Sequence, residues 1–178
     1  MRRVIFATIG LLIFALPQVA VAAPNFTAGW RYAAKFVCGE SDGGESELGA
    51  VEGHYNTVIN VQAIKNRAKI AYRATALSTD LDVNSDVPTP FSQLYERDTD
   101  GGFRIVCSDI KRGLFDIGQQ GFIEGFVAIY STRPLNVVSV VTGEGDFDEG
   151  DVLSVMQLLD ASERTVSETV EYLVENEE

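Results

Sequence analysis

Residues 122–142, which read FIEGFVAIYSTRPLNVVSVVT, decide the fold class of this chain. Two runs rich in β-branched and aromatic residues, 126–131 and 137–142, flank a short polar link, and neither run has the spacing of an amphipathic helix. Pro134 in the link fixes φ and cannot donate a hydrogen bond to a sheet, so the two runs are predicted to be strands joined by a turn. Apolar side chains fall on both parities in each run, which predicts strands near the middle of a sheet and covered on both faces.

Further strands are predicted on the N-terminal side of this stretch. They are short, turn-rich links separate them, and no helical crossover of about 10–15 residues intervenes, which favours antiparallel pairing. The sequence therefore predicts an all-β protein, an antiparallel β-sandwich of the immunoglobulin-like or jelly-roll-like kind. The predicted strands are residues 31–37, 54–61, 67–76, 103–107, 122–131 and 137–142.

The predicted strand 67–76 has one wet face and one dry face. Basic and small polar residues alternate with apolar ones along it, although Ala71 interrupts the polar side. Its dry side consists of Ala68, Ile70, Tyr72, Ala74 and Ala76. The aromatic residues in or beside the predicted strands are likewise expected to belong to the core rather than to a ligand cleft.

Residues 1–22 have the three parts of a secretory signal peptide. Arg2 and Arg3 are the positive part, residues 4–16 are apolar, and Ala20-Val-Ala22 is a small-residue cleavage site. The apolar run is shorter than the roughly 20 residues needed to cross a bilayer, so cleavage and export to the periplasm or the exterior are predicted. Residues 23–30 are then expected to be a flexible N-terminus, and residues 31–160 a single β-sandwich domain with no membrane span after processing.

The exported chain is strongly acidic. Without Arg2 and Arg3 it has 12 basic against 26 acidic residues, a net charge of −14. From Glu144 onward there are twelve acidic residues and one basic residue, Arg164. Nucleic acid and anionic membranes are recognised by clustered Lys and Arg, so neither is predicted as a partner.

The C-terminal region permits two interpretations. Val152, Val155, Met156 and Leu159 have helical spacing, but residues 154–166 also fit a long final strand that closes the sheet. The strand is favoured because a sheet without it has an exposed edge. Residues 161–178 form an acidic C-terminal segment, in which a helix or a loosely held tail is expected after Ser167.

Four segments of the chain resemble signatures of a family of small exported bacterial proteins that is uncharacterised: YAAKFVCG at 32–39, GHYNTVINV at 53–61, FRIVCSDI at 103–110 and FIEGFVAIYS at 122–131. The resemblance runs from Tyr32 to about Thr142. It implies a β-sandwich and an exported protein, and it implies no activity. Where such proteins have His-Asn-Pro after the second signature, this chain has QAIKN at 62–66, so a ligand contact at that turn is not expected here.

No residue pattern in the chain predicts catalysis. His54 is the only histidine and thus the only possible histidine base, and no Gly-x-Ser-x-Gly elbow accompanies it. The chain offers one His and two Cys, whereas structural zinc needs four such ligands and catalytic zinc usually has three ligands, most of them His. We therefore predict no catalytic residues and no cofactor, and interpret the chain as a binding or structural module whose partner is an envelope protein or polysaccharide. The alternative is a hydrolase that acts through paired carboxylates.

One acidic loop has part of a calcium-binding pattern. Asp80, Asp82, Asn84 and Asp86 have the alternate spacing with which a calcium loop begins. Ser85 occupies the position that requires glycine, and no bidentate Glu follows at the end of the pattern. A solvated polar loop is thus favoured, and a calcium-stabilised adhesion-type domain remains a second alternative.

Cys38 and Cys107 are predicted to form a disulfide bond. They are the only two cysteines, each lies at the end of a predicted strand, and an exported chain meets oxidising conditions. The alternatives are two small buried apolar residues or a reactive thiol, which has no neighbouring histidine in the sequence to activate it.

Overall fold

The structure is a computed structural model that describes residues 25–43, 52–79, 87–118, 121–147, 151–160 and 162–171. The strands in this part of the chain are β1 (Asn25–Ser41), β2 (Gly53–Ala63), β3 (Ala68–Thr79), β4 (Tyr95–Arg97), β5 (Gly102–Val106), β6 (Ile123–Ser131), β7 (Leu135–Phe147), β8 (Asp151–Asp160) and β9 (Ser162–Glu171), with a short π-helix at Asp109–Leu114. All strand pairs are antiparallel, which confirms the all-β antiparallel prediction. The sandwich architecture stays a prediction.

The strands form one nearly closed sheet in the order β4-β3-β6-β1-β2-β7-β8, with β9 beside β1 and β5 beside β2. Strand β1 joins its two halves, because residues 30–38 pair with β6 whereas residues 39–41 pair with β2. We call β3, β4, β6, β9 and residues 25–38 of β1 half A. Half B consists of β2, β5, β7, β8 and residues 39–41 of β1.

Strands β6 and β7 follow each other in sequence but are not neighbours in the sheet. The link between them leaves half A at Thr132, whose backbone N–H donates to the Lys69 carbonyl at 3.1 Å. It enters half B at Leu135, whose N–H donates to the hydroxyl of Tyr32 at 2.8 Å. The two predicted strands are therefore present, and the turn between them carries the chain from one half to the other.

The main core lies between the inward faces of the two halves. The dry side predicted for residues 67–76 is buried along its whole length, as expected. Facing side chains from half B complete the core, and burying each large one contributes about 1.5–3 kcal/mol. Large, fully buried side chains of this core include Phe36, Ile59, Ile70, Ile105, Ile110, Ile123 and Ile129.

The structure differs from the sequence prediction at both ends of the described chain. Residues 25–30 belong to β1, which begins at Asn25 and pairs there with β9, and residues 168–171 are strand rather than helix or loose tail. The reason is burial: Phe26 and Val170 are paired and buried in a second apolar cluster, which offsets the entropy of ordering both segments. The preference for strand over residues 154–166 is correct, although the region forms two strands, β8 and β9.

Cys38 and Cys107 are joined by a disulfide bond with a Cα–Cα distance of 5.5 Å, as predicted. Cys38 lies inside β1 rather than at its end. Beside the bridge, the buried Thr57 hydroxyl donates to the Val37 carbonyl and accepts from the Val37 N–H, both at 2.8 Å. The backbones of β1 and β2 pair from Gly39 onward, and these two bonds extend the contact between the strands to Val37. Within the described ranges, no helix is long and apolar enough to cross a membrane.

Candidate functional site

The residues that the sequence singled out do not assemble into a site in the described part of the chain. Asp80, Asp82, Asn84 and Asp86 lie outside the described residues. His54 is exposed at the beginning of β2, opposite a glutamate in each neighbouring strand. Among the described residues, no group of three or more His, Cys, Asp or Glu side chains is placed to hold a metal ion.

Among the described residues, one concave surface is a groove of about 420 Å³ on the outer face of half B. It lies across β5, β2 and β7 and is open to solvent. Its lining includes Asn60, Gln62, Asp100, Arg104, Asn136 and Val138. We call it the amide groove.

Strand alternation in β2 and β7 places the amides in this groove. Ile59 and Val61 point into the core, so Asn60 and Gln62 between and after them point outward. In β7 the same alternation buries Leu135 and Val137 and exposes Asn136.

The strand register brings these outward side chains together. Gln62 lies directly opposite Asn136, and Asn60 lies opposite Arg104 on one side and Val138 on the other. Directly opposite residues in antiparallel strands have Cβ atoms about 4.5–5.5 Å apart, close enough for one ligand group to contact two of them. Three amides and one guanidinium therefore lie side by side on this face, next to apolar Val138.

The turn before β5 shapes one end of the groove. Ala63 exchanges two backbone hydrogen bonds with it, from its N–H to the Gly101 carbonyl at 2.9 Å and from the Asp100 N–H to its carbonyl at 2.8 Å. At Gly102 a Cβ atom would lie 2.9 Å from the Val61 carbonyl oxygen, so glycine is what allows β5 to approach β2 this closely. The turn holds the Asp100 carboxylate at the rim.

A stack of aromatic rings supports the same end. Phe103 lines the groove and stacks on Tyr95 with ring centroids 4.7 Å apart, and Tyr95 in turn stacks on Tyr72 at 5.6 Å. The Tyr72 and Tyr95 hydroxyls lie 3.3 Å apart. Burial of the Tyr72 hydroxyl, helped by this hydrogen bond and by the charges nearby, raises its pKa far above the usual value for tyrosine. The stack links β3, β4 and β5 behind this wall of the groove.

The polar groups of the groove have unused hydrogen-bonding capacity. In the described part of the chain, no side-chain hydrogen bond or ion pair involves Asn60, Gln62, Arg104 or Asn136. Each amide offers both donors and an acceptor, and Arg104 adds a planar set of donors. This set suits a ligand rich in hydroxyl groups, each of which both donates and accepts.

Sequence reasoning missed these residues. Asn and Gln at alternate positions of a strand are ordinary solvent-facing residues, and only the strand register shows that three of them share one surface with Arg104. Compared with protein-family models, curated proteins and solved structures, the chain has no significant match to any of them.

Proposed function

We propose that this protein is an exported, non-enzymatic binding module of the cell envelope, and that the amide groove holds a segment of a neutral polysaccharide. The N-terminal signal pattern and the disulfide bond support a periplasmic or extracellular location, where such polymers occur. The observation that carries the proposal is the cross-strand arrangement of Gln62 with Asn136 and of Asn60 with Arg104 in an open groove.

The lining favours a hydroxyl-rich polymer over a protein partner. Protein interfaces are centred on buried aromatic or aliphatic anchors. The lining here instead has three amides and two charged side chains, beside Phe103 and Val138. The Asp100 and Arg104 charges offset each other, so the groove suits a ligand without net charge. Its openness lets a polymer continue beyond the contacted sugars.

The hydrolase alternative has no support in the groove. Glycoside hydrolysis uses two carboxylates about 5–10 Å apart, and among the described lining residues Asp100 supplies one. The calcium-stabilised alternative depends on Asp80, Asp82, Asn84 and Asp86, which lie outside the described residues.

The test is calorimetric titration of the disulfide-bonded protein, begun at Ala23, with chitohexaose, maltohexaose and cellohexaose. We expect saturable binding of at least one of them. Asn60→Ala and Asn136→Ala should each weaken it about 3- to 10-fold, because each removes hydrogen bonds worth about 0.5–1.5 kcal/mol.

Asn56→Ala is the matched control, because Asn56 is exposed on β2 but does not line the groove. The affinity of the Asn56→Ala variant for the sugar should stay within twofold of that of the unmodified protein. Binding that is insensitive to Asn60 and Asn136, or no binding of any of the three sugars, would contradict the proposal. Shortened fragments in the mixture after incubation, detected by chromatography, would favour the hydrolase instead.

A further inference from the structure

On the outer face of half A, Arg31 and Arg73 lie over the buried ring of Tyr130, and Arg164 lies opposite Arg31 in the strand register. We infer that Arg31 and Arg164, supported by Arg73, form a binding site for an oxyanion, namely a carboxylate or phosphate group carried by a ligand. This site is separate from the amide groove and does not depend on the function proposed for it.

The first observation is a like-charge pair in the strand register. Arg31 in β1 lies directly opposite Arg164 in β9. Residues opposite each other in an antiparallel pair project from the same face, and like charges there destabilise the pair. In a mature chain with 26 acidic and 12 basic residues, an acidic partner for either arginine is the expected arrangement. A bound anion would remove the repulsion.

The second observation is that Arg31 has a donor without an acceptor. Its Nε atom is buried and has no hydrogen-bond partner, which is rare for a buried polar atom. Among the described residues, no carboxylate lies within ion-pair distance of Arg31 or Arg164. The Glu168 carboxylate lies 3.7 Å from the Arg73 guanidinium instead. Within the described part of the chain, the guanidinium groups of Arg31 and Arg164 therefore have no carboxylate partner.

The third observation is that aromatic rings form the floor of the site. The guanidinium carbon of Arg31 lies 5.5 Å from the centroid of the Tyr130 ring, and that of Arg73 lies 5.4 Å from the same centroid. Arg73 also donates from Nη2 to the Tyr130 hydroxyl at 3.0 Å and lies 4.6 Å over the ring of Phe91. Tyr130 is fully buried, so these contacts hold the arginines against a surface of low polarity, where charge interactions are stronger than in water.

The chemistry of the donors defines the ligand. Guanidinium groups present paired N–H donors that match the oxygens of a carboxylate or phosphate and bind them in a bidentate way. Two or three arginines suffice for one such group. They are too few for a nucleic-acid backbone, which requires many phosphate contacts.

The test is calorimetric titration of the mature, disulfide-bonded protein with inorganic phosphate and, separately, with trigalacturonate, at constant ionic strength. We expect saturable binding of at least one probe, and the tighter probe identifies the group. Arg31→Gln and Arg164→Gln should each weaken it about tenfold or more. Arg133→Gln, an exposed arginine in the link between β6 and β7, makes the same charge change and should alter affinity less than twofold.

A melting experiment keeps the test decisive if a variant is unstable. Without ligand, Arg164→Gln should melt at the same temperature as the unmodified protein or slightly higher, because it removes the repulsion with Arg31. It should also lose the stabilisation that the tighter probe gives to the unmodified protein. No saturable binding of either probe, an equal effect of Arg133→Gln, or a marked fall in melting temperature for Arg164→Gln would overturn the inference.

Discussion

The outer faces of halves A and B are built from the same kind of outward strand positions but have opposite characters. On half B, Asn60, Gln62 and Asn136 are exposed and line an open groove. On half A, Ala71 and Tyr130 point outward and are nevertheless fully buried. Strand alternation therefore decides which way a side chain points, while a covering segment decides whether that side is surface or core.

Residues 87–94 and strand β9 provide the cover on half A. The first segment follows the edge of β3, where the Ser92 N–H donates to the Tyr72 carbonyl at 2.7 Å and the Thr89 N–H to the Ala74 carbonyl at 2.8 Å. Pro88 and Pro90 have no N–H to donate, which suits an edge segment that is not a regular strand. Phe91 from this segment packs edge-on against Tyr130, with ring centroids 5.0 Å apart.

The largest expected effect is on the connection between the halves. Replacing Cys38 and Cys107 together by Ala opens a loop of 69 residues, which costs about 4 kcal/mol in the chain-entropy model of disulfide stabilisation. Urea unfolding of the double variant and of the oxidised protein measures this difference. A loss below about 1 kcal/mol would show that β1 holds the two halves together without the bridge.

A smaller effect is expected at the neighbouring contact between β1 and β2. Thr57→Val keeps the shape of the side chain but leaves the buried N–H and carbonyl of Val37 without partners, at a cost of about 1–3 kcal/mol. Thr142→Val is the control, because its hydroxyl makes one exposed hydrogen bond, to the Asn56 carbonyl at 3.3 Å. Equal unfolding free energies for the two variants would contradict the role assigned to Thr57.

The aromatic stack should make stability fall at alkaline pH. The folded-state pKa of Tyr72 is raised above its unfolded value of about 10, so above that pH the unfolded chain loses the proton while the folded chain keeps it. The contribution of protonated Tyr72 to the free energy of unfolding is complete below about pH 10. Above that pH it declines by up to about 1.4 kcal/mol per pH unit. Tyr72→Phe should reduce this slope in urea unfolding between pH 9 and 11, and an unchanged slope would contradict the assignment.

The smallest expected change in unfolding free energy concerns two arginines, one on the outer face of each half. Arg73→Met removes the hydrogen bond to Tyr130 and the contacts with two rings, and should cost about 1–2 kcal/mol. Arg104→Met on half B removes no such contact and should change stability by less than about 0.5 kcal/mol. If the two substitutions are equally costly in urea unfolding, the two faces do not differ in the way described.

Local patterns predicted the strands well where those are long. The runs at 122–131 and 137–142, the two-faced strand at 67–76 and the disulfide all follow from short-range spacing and from the signal pattern at residues 1–22. Strand β4 was missed because Tyr95–Arg97 is too short to show a period. The start of β1 was missed because residues 25–30 contain glycine and would follow the cleavage site.

The sequence could not predict which strands pair with each other, because strand pairing depends on residues far apart in sequence. The pairing of Asn25 with Glu171 joins the two ends of the described chain, and nothing local signals it. Both surfaces proposed for binding arise the same way: Gln62 meets Asn136, and Arg31 meets Arg164, only through strand register. Tyr130 was correctly predicted as core, but its two arginine neighbours were not foreseen.

The central claim is that the exposed face of half B is the polysaccharide-binding face, and two-dimensional 15N–1H NMR tests it most directly. The mature protein would be titrated with the hexasaccharide that binds most tightly in calorimetry. The largest shifts are predicted for backbone amides of residues 58–62, 100–104 and 136–138, with those of β3 and β9 unchanged. Shifts concentrated in β3, β6 and β9, with the groove amides unmoved, would contradict the account.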